Sequence, residues 1–349
     1  MQTRSLRCII PLLFTVCFLV VATAVFSQTD LSSIDRELES RKKELGENFV
    51  MMVWKDTLVY KKEAGQFNFK TLAPLGSSSK WLTAALVMVF VDEGKLSLDD
   101  KVARWLPEFE RYGKNYVTIR HCLNHMTGIS DEGNAAKKAF QRKKFSSLEE
   151  EVNSFAARNI RVNAGQDFWY GDLGINIAAR VLEVVSKKKF DQLIKQKLLN
   201  PLGMRRTTFS TIDASALNPA TGGQSTAEEY LKFLVMLLNK GMANGKQVLS
   251  ESSVNELLSI QNKGTETKAN PKYATGWSYA LGSWVVNESG DKPTVIACPS
   301  EAGTWPVIDL CRGYVSILLL KEPLKDERTA THLQIKAAID ILMNNDDCH

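Results

Sequence analysis

The chain has 349 residues, of which 44% are hydrophobic and 24% charged, with a formal net charge of +5. That composition excludes a disordered or fibrous protein, and the charge is too mild to signal a nucleic-acid or membrane-surface partner. Six cysteines spread over this length do not make a disulfide scaffold, and the chain suits one large domain or two modest ones.

The first residues carry Arg4 and Arg7, an apolar stretch runs from Cys8 to Phe26, and Ser27-Gln28-Thr29-Asp30 follows. A basic start, an apolar middle and small residues at the exit predict an export signal over residues 1–27, with Ala22-x-Ala24 or Val25-x-Ser27 as the cleavage signature. The expected location is periplasmic or extracellular. The apolar run is long for a signal, so an uncleaved membrane anchor is the alternative. Neither Cys8 nor Cys17 follows a lipobox-like sequence. Removal of the two arginines lowers the net charge by two and leaves Cys122, Cys298, Cys311 and Cys348, whose pairing the sequence does not fix.

Beyond Asp30, apolar spacing with alternating charges predicts an amphipathic helix to Leu45. Phe49 to Trp54, a turn at Lys55-Asp56, and Thr57 to Tyr60 read as a β-hairpin. Next comes the serine cluster Gly76-Ser77-Ser78-Ser79-Lys80, which runs into a stretch apolar on every face up to Val91, with Gly94 as its stop. This pattern predicts a deeply buried helix with Ser77 at its mouth. Helical patterns continue over Val117–His125, Leu148–Asn159, Leu173–Val185, Ser225–Asn239 and Ser250–Ile260, the fourth capped by Ser225 or Thr226. Strand patterns then take over at 276–282, 294–297, 305–308 and 314–320, and a helix closes the chain over about 327–343. One antiparallel sheet built from both chain ends (28–75 and about 225–349), with a mainly helical part inserted at about 76–224, is the expected α+β architecture. The cleft between the two parts is the expected place for a site.

Lys80 stands three residues after Ser77, on the same helical face and about 5–6 Å away, within reach of the hydroxyl. A serine hydroxyl is almost wholly protonated at neutral pH, so attack on a carbonyl needs a neighbouring base, and a helix N-terminus supplies N–H groups for a developing oxyanion. Ser-x-x-Lys recurs at Ser40/Lys43, Ser186/Lys189 and Ser289/Lys292, but only the Ser77 copy opens an apolar helix. A second candidate is Tyr170-Gly171-Asp172, just before a helix, where both side chains can project from a loop. The lysine clusters at 137–138, 142–144 and 187–189 read as solvated helix faces. His121 and His125 have i, i+4 spacing, yet no glutamate follows His121 as in a zinc protease motif, and Gly-x-Ser-x-Gly is absent.

Ser77-Ser78-Ser79-Lys80, Tyr170-Gly171-Asp172 and the segments 92–100, 106–109, 117–128, 201–204 and 223–228 resemble the serine β-lactamase and penicillin-binding-protein superfamily, especially its class C-like branch of β-lactamases, D-amino peptidases and esterases. The resemblance implies a β-lactamase/transpeptidase-like fold and a Ser77 acyl-enzyme. Lys80 and Tyr170 would move the proton, and no metal or organic cofactor is implied. The family has asparagine where this chain has Asp172. An anion there favours the lysine ammonium, so the expected proton acceptor is Tyr170, with Lys80 as its charged partner. The family's third motif, Lys-Thr-Gly or His-x-Gly, does not occur. Alignment on Gly303-Thr304 and Asp309 places Cys298-Pro299-Ser300 there, followed by Glu301, whose backbone N–H is the expected second oxyanion donor beside that of Ser77. Asp172, Cys298, Ser300 and Glu301 are the expected substrate-binding positions. Loss of the cation and gain of Glu301 disfavour anionic substrates. A serine hydrolase acting on a small-molecule or peptide-like ester or amide is the expectation. A catalytically impaired relative that binds a peptidoglycan fragment or a protein partner is the alternative.

Overall fold

Strand Phe49–Lys55 (β1) alternates between two cores. Phe49, Met51 and Val53 pack in one apolar cluster, while Val50 and Met52 turn to another. A strand buried on both faces must lie inside a layered structure. The computed structural model describes residues 31–131, 145–210, 215–321, 328–343 and 348. The expected signal and the lysine clusters at 137–138 and 142–144 lie outside the described residues, whereas Lys187, Lys188 and Lys189 are exposed as expected.

After β1 come Thr57–Ala64 (β2), Ser278–Tyr279 (β3), Trp284–Ser289 (β4), Lys292–Ala297 (β5), Thr304–Asp309 (β6) and Tyr314–Leu320 (β7). They form one antiparallel sheet in the order β3-β4-β5-β6-β7-β1-β2. The pairing of β1 with β7, from Phe49↔Leu320 to Trp54↔Val315, joins the two ends of the chain. The principal helices are Ser32–Ser40 (α1), Ser79–Asp92 (α2), Leu148–Ala156 (α3), Leu173–Ser186 (α4), Ala227–Leu238 (α5), Glu251–Leu258 (α6) and Arg328–Leu342 (α7). Ile34 and Leu38 of α1 and Ile335 and Ile339 of α7 cover one face of the sheet. On the other face α5 packs on β1, β6 and β7, and beyond it α2 packs against α4 and α6. Every residue of α2 from Ser79 to Phe90 is buried, so the helix is apolar all round because nothing around it is solvent.

Several elements differ from expectation. The strand pattern at 276–282 shrinks to Ser278–Tyr279, because Gly276 and Gly282 both take positive φ and interrupt it. β4 is absent from the sequence reading; its second half, Asn287-Glu288-Ser289, has turn-like composition and irregular register. The 117–125 helix is reduced to Ile119–Leu123, opened by a Thr118 hydroxyl that accepts from His121 N–H and ended before His125, whose φ is 59°. Thr226, of the two expected caps, accepts from Glu229 N–H at the start of α5. Cys311 and Cys348 form a disulfide, and Cys122 and Cys298 are free and buried.

The α7 layer is locked by charge as well as by packing. Asp309, at the end of β6, is fully buried and accepts from Lys336 Nζ of α7 at 2.7 Å. The same ammonium bonds both oxygens of Asp340 at 2.8 Å, and the Tyr314 hydroxyl donates to Asp340 Oδ1 at 2.7 Å. Removing Lys336 leaves Arg312, 3.4 Å from Asp309 and 3.9 Å from Asp340, as the cation facing both carboxylates, one of them fully buried. Lys336→Met is therefore expected to destabilise the fold by about 3 kcal/mol, read as a lower urea midpoint at unchanged slope.

Candidate active site

Three adjacent serines open α2, and the structure gives each a different task. The Ser78 hydroxyl donates to Cys298 O at 2.5 Å, which ties the turn to the end of β5. Ser79 Oγ accepts from Gly223 N–H at 3.0 Å, which ties it to the segment before α5. Ser77 alone faces the lysine: Lys80 Nζ donates to its Oγ at 3.4 Å. The tight turn Gly76–Ser78 precedes the regular helix, so Ser77 sits just ahead of α2 with its side chain half-buried.

The Lys80 side chain is only 1% exposed, and a buried ammonium needs a counter-charge. Asp172 provides it, with Oδ1 2.8 Å from Nζ. Asp172 precedes α4 in the N-cap position, but its carboxylate makes no cap hydrogen bond and is directed to the lysine. Ala220 O lies 3.5 Å from Nζ as a further acceptor. The Tyr170 ring packs beside the ammonium, 5.0 Å from Nζ to centroid.

Tyr170 is held by aromatic neighbours from separate parts of the chain. His125, Trp284 and Tyr279 stand at centroid distances of 4.8, 5.0 and 5.9 Å. Its hydroxyl is shut off from solvent and makes no hydrogen bond of good geometry, yet the hydroxyls of Ser77 and Tyr273 are close enough to act on its ionisation. Desolvation pushes the Tyr170 phenol far above its ordinary value. Cys298 adds to the rise and Ser77 opposes it. Tyr273, whose hydroxyl also reaches Pro299 O at 3.4 Å, is a neighbour of Tyr170 that sequence reasoning missed. Its only signal was an aromatic side chain in a loop.

The segment 298–303 fills the gap where β5–β6 pairing stops at Ala297↔Val307 and β6–β7 pairing begins at Thr304↔Leu319. Cys298 is buried, with Sγ turned to Ser77 O at 3.5 Å and Gly282 O at 3.3 Å. Burial pushes its thiol up to about 12, so it is a packing group beneath the Gly76–Ser78 turn, away from solvent. Glu301 is exposed. Ser300 is buried, and its Oγ accepts from Ser77 N–H at 3.1 Å. The expected first oxyanion donor is therefore already bonded within the protein. The structure thus gathers Ser77, Lys80, Tyr170, Asp172 and Ser300 around one point, with Cys298 behind it and Glu301 at its exposed edge.

His121 and His125 do not share a metal site. His121 Nδ1 accepts from Thr118 N–H, His125 Nε2 bonds the Tyr279 hydroxyl at 2.9 Å, and no group of three or more His, Cys, Asp or Glu side chains able to hold a metal occurs among the described residues.

The beta-lactamase family profile matches residues 44–339 of this chain. The chain belongs to the beta-lactamase family of serine hydrolases. Beta-lactamase-like protein 4 of Dictyostelium discoideum is 23% identical over 378 residues, covering 89% of this chain and 62% of that protein. Among solved structures, EstCE1, described as a hydrolase with promiscuous acyltransferase activity, superposes with a TM-score of 0.73 at 18% identity over 89% of this chain and 99% of its own. A D-stereospecific amidohydrolase from Streptomyces sp. superposes with a TM-score of 0.67 at 18% identity over 86% and 97%. These superpositions show the beta-lactamase/transpeptidase-like fold. The chain spans 57–65% of the length of four curated relatives it matches.

Burial, and secondarily the Lys80 charge, pushes His125 down to about 3. In the unfolded chain it titrates near 6.5. Above about pH 6.5 neither state takes the proton. As pH falls from there towards 3 the unfolded state alone takes it, so folding stability declines by up to about 1.4 kcal/mol per pH unit. Urea unfolding between pH 7.5 and 4.5 is expected to show this loss. His125→Phe, though less stable throughout, should show a shallower pH slope.

Proposed function

We propose that this chain is an exported serine hydrolase that acts on an ester or amide through a Ser77 acyl-enzyme. The observation that carries this reading is the convergence on the Ser77 hydroxyl of a buried Lys80, its counter-ion Asp172 and a desolvated Tyr170, beside backbone N–H groups. Export is supported by the basic and apolar start of the chain and by the Cys311–Cys348 disulfide, a cross-link favoured in oxidising compartments. A small, neutral acyl substrate fits the third-motif segment, where Cys298 replaces a cation and Glu301 adds an exposed carboxylate.

In this mechanism Ser77 Oγ attacks the substrate carbonyl. An Nζ proton first passes to Asp172 Oδ1, which frees a lone pair on the amine, and the Ser77 proton then passes to Nζ as Oγ attacks, so the ammonium is restored and Asp172 is left as the neutral acid. The proton returns along the same path to the leaving group; water then attacks the acyl carbon, its proton taking the same path to Ser77 Oγ as the acid is released. This relay is preferred to Tyr170 as the acceptor because Lys80 bonds both Ser77 Oγ and Asp172, whereas the Tyr170 hydroxyl makes no hydrogen bond of good geometry and burial pushes its phenol up. Tyr170 remains a neutral phenol whose ring packs beside the Lys80 ammonium. A second reading, a catalytically impaired relative that binds a peptidoglycan fragment or a protein partner, is favoured by one observation: Ser77 N–H is already bonded to Ser300.

Intact-protein mass after incubation with a fluorophosphonate and with p-nitrophenyl acetate tests the proposal. A single adduct that disappears in Ser77→Ala, with nitrophenol release, is expected; an unmodified, folded protein would leave the binding reading. For the proton path, Lys80→Met is expected to slow acylation by about 10²–10⁴-fold, and Tyr170→Phe by no more than about tenfold. The reverse ranking would restore Tyr170 as the acceptor.

A further inference from the structure

Two backbone N–H groups point at one oxygen beside the nucleophile, and that oxygen belongs to the protein. Ser300 Oγ accepts from Ser77 N–H at 3.1 Å and from Ala302 N–H at 3.0 Å. Paired donors aimed at a single acceptor are what an acyl-transfer site offers to a substrate oxyanion. The surroundings are built to admit this hydroxyl. Gly76 has φ +49°, and a Cβ there would stand 2.1 Å from Ser300 Oγ and 3.1 Å from Ala302 Cβ. No other residue could occupy position 76 with the hydroxyl where it is. Ser300 is 1% exposed, and its backbone is fixed in the turn by Ser300 N–H to Thr304 O at 2.8 Å and Gly303 N–H to Ser300 O at 3.0 Å. The hydroxyl can leave only by side-chain rotation.

We propose that Ser300 is an internal plug of the oxyanion hole: its hydroxyl occupies the acceptor position shared by Ser77 N–H and Ala302 N–H, and a substrate carbonyl must displace it before Ser77 can be acylated. This inference rests on the reading of Ser77 as the nucleophile. It also assigns Ala302, in place of Glu301, as the second donor. The plug acts as a threshold on reactivity. A substrate that cannot replace both hydrogen bonds leaves the hole closed, so weakly polarised carbonyls are turned away and activated esters are favoured. Deleting the hydroxyl should leave both donors ready for the substrate oxygen.

The test uses Ser300→Ala and Ser300→Gly in the otherwise intact protein, each checked for an unchanged thermal transition, with two readouts. The first is the second-order rate of Ser77 labelling by a fluorophosphonate, whose P=O oxygen must enter the hole. The second is hydrogen exchange of the Ser77 amide, which needs no chemistry at the site. The plug predicts labelling about tenfold faster in both variants, since losing two internal hydrogen bonds removes a competitor for the hole, and faster Ser77 amide exchange. Labelling no faster than in the wild type, in proteins that do label at Ser77, would overturn the plug. So would amide exchange unchanged in both variants. If none of the proteins labels while amide exchange still accelerates, the Ser77–Ser300 hydrogen bond is confirmed but the hydrolase reading falls, and the plug falls with it.

Discussion

A lysine with almost no exposed surface governs this site. Burying the Lys80 ammonium costs far more than any single hydrogen bond returns, so the fold must bring a counter-charge and polar acceptors to it. Asp172, Ser77 and Ala220 meet that demand from three separate segments: the loop before α4, the turn before α2 and the segment leading to α5. The same requirement fixes where α2 and α4 begin relative to each other. Structural need and the proposed chemistry coincide here, because the groups that stabilise the ammonium are the ones the proposed proton path uses.

The environment of Tyr170 follows from the sheet. β3 and β4 supply Tyr279 and Trp284, which with His125 pack around the Tyr170 ring, and its hydroxyl is shut off from water. The altered second motif and the aromatic enclosure act together: Asp172 pairs with the Lys80 charge, and burial raises the Tyr170 phenol.

Much of this was legible from residue order. The Ser77/Lys80 pair declared itself because three-residue spacing and an all-apolar continuation are local signals that a buried helix N-terminus must obey. Tyr170 and Asp172 were visible as a short motif ahead of a helix. The β1–β7 sheet core could be read from its apolar strands. What escaped depends on contacts between distant residues. The Ser77–Ser300 bond joins positions 223 apart, and a serine in place of glycine looks in sequence like a mere loss of family pattern. Tyr273 carries no periodic or motif signal. β4 was hidden by polar residues at its irregular end, and the 117–125 helix ends early because His125 leaves helical geometry to reach Tyr279.

The central claim is that Ser77 is a nucleophile whose oxyanion hole must first be vacated by Ser300. A crystal structure of the protein after reaction with a fluorophosphonate addresses it most directly. The account predicts phosphorus bonded to Ser77 Oγ, a phosphoryl oxygen accepting from the N–H groups of Ser77 and Ala302, and the Ser300 hydroxyl rotated away. A phosphonyl group on another residue, or an adduct on Ser77 with the Ser77–Ser300 hydrogen bond still in place, would contradict it.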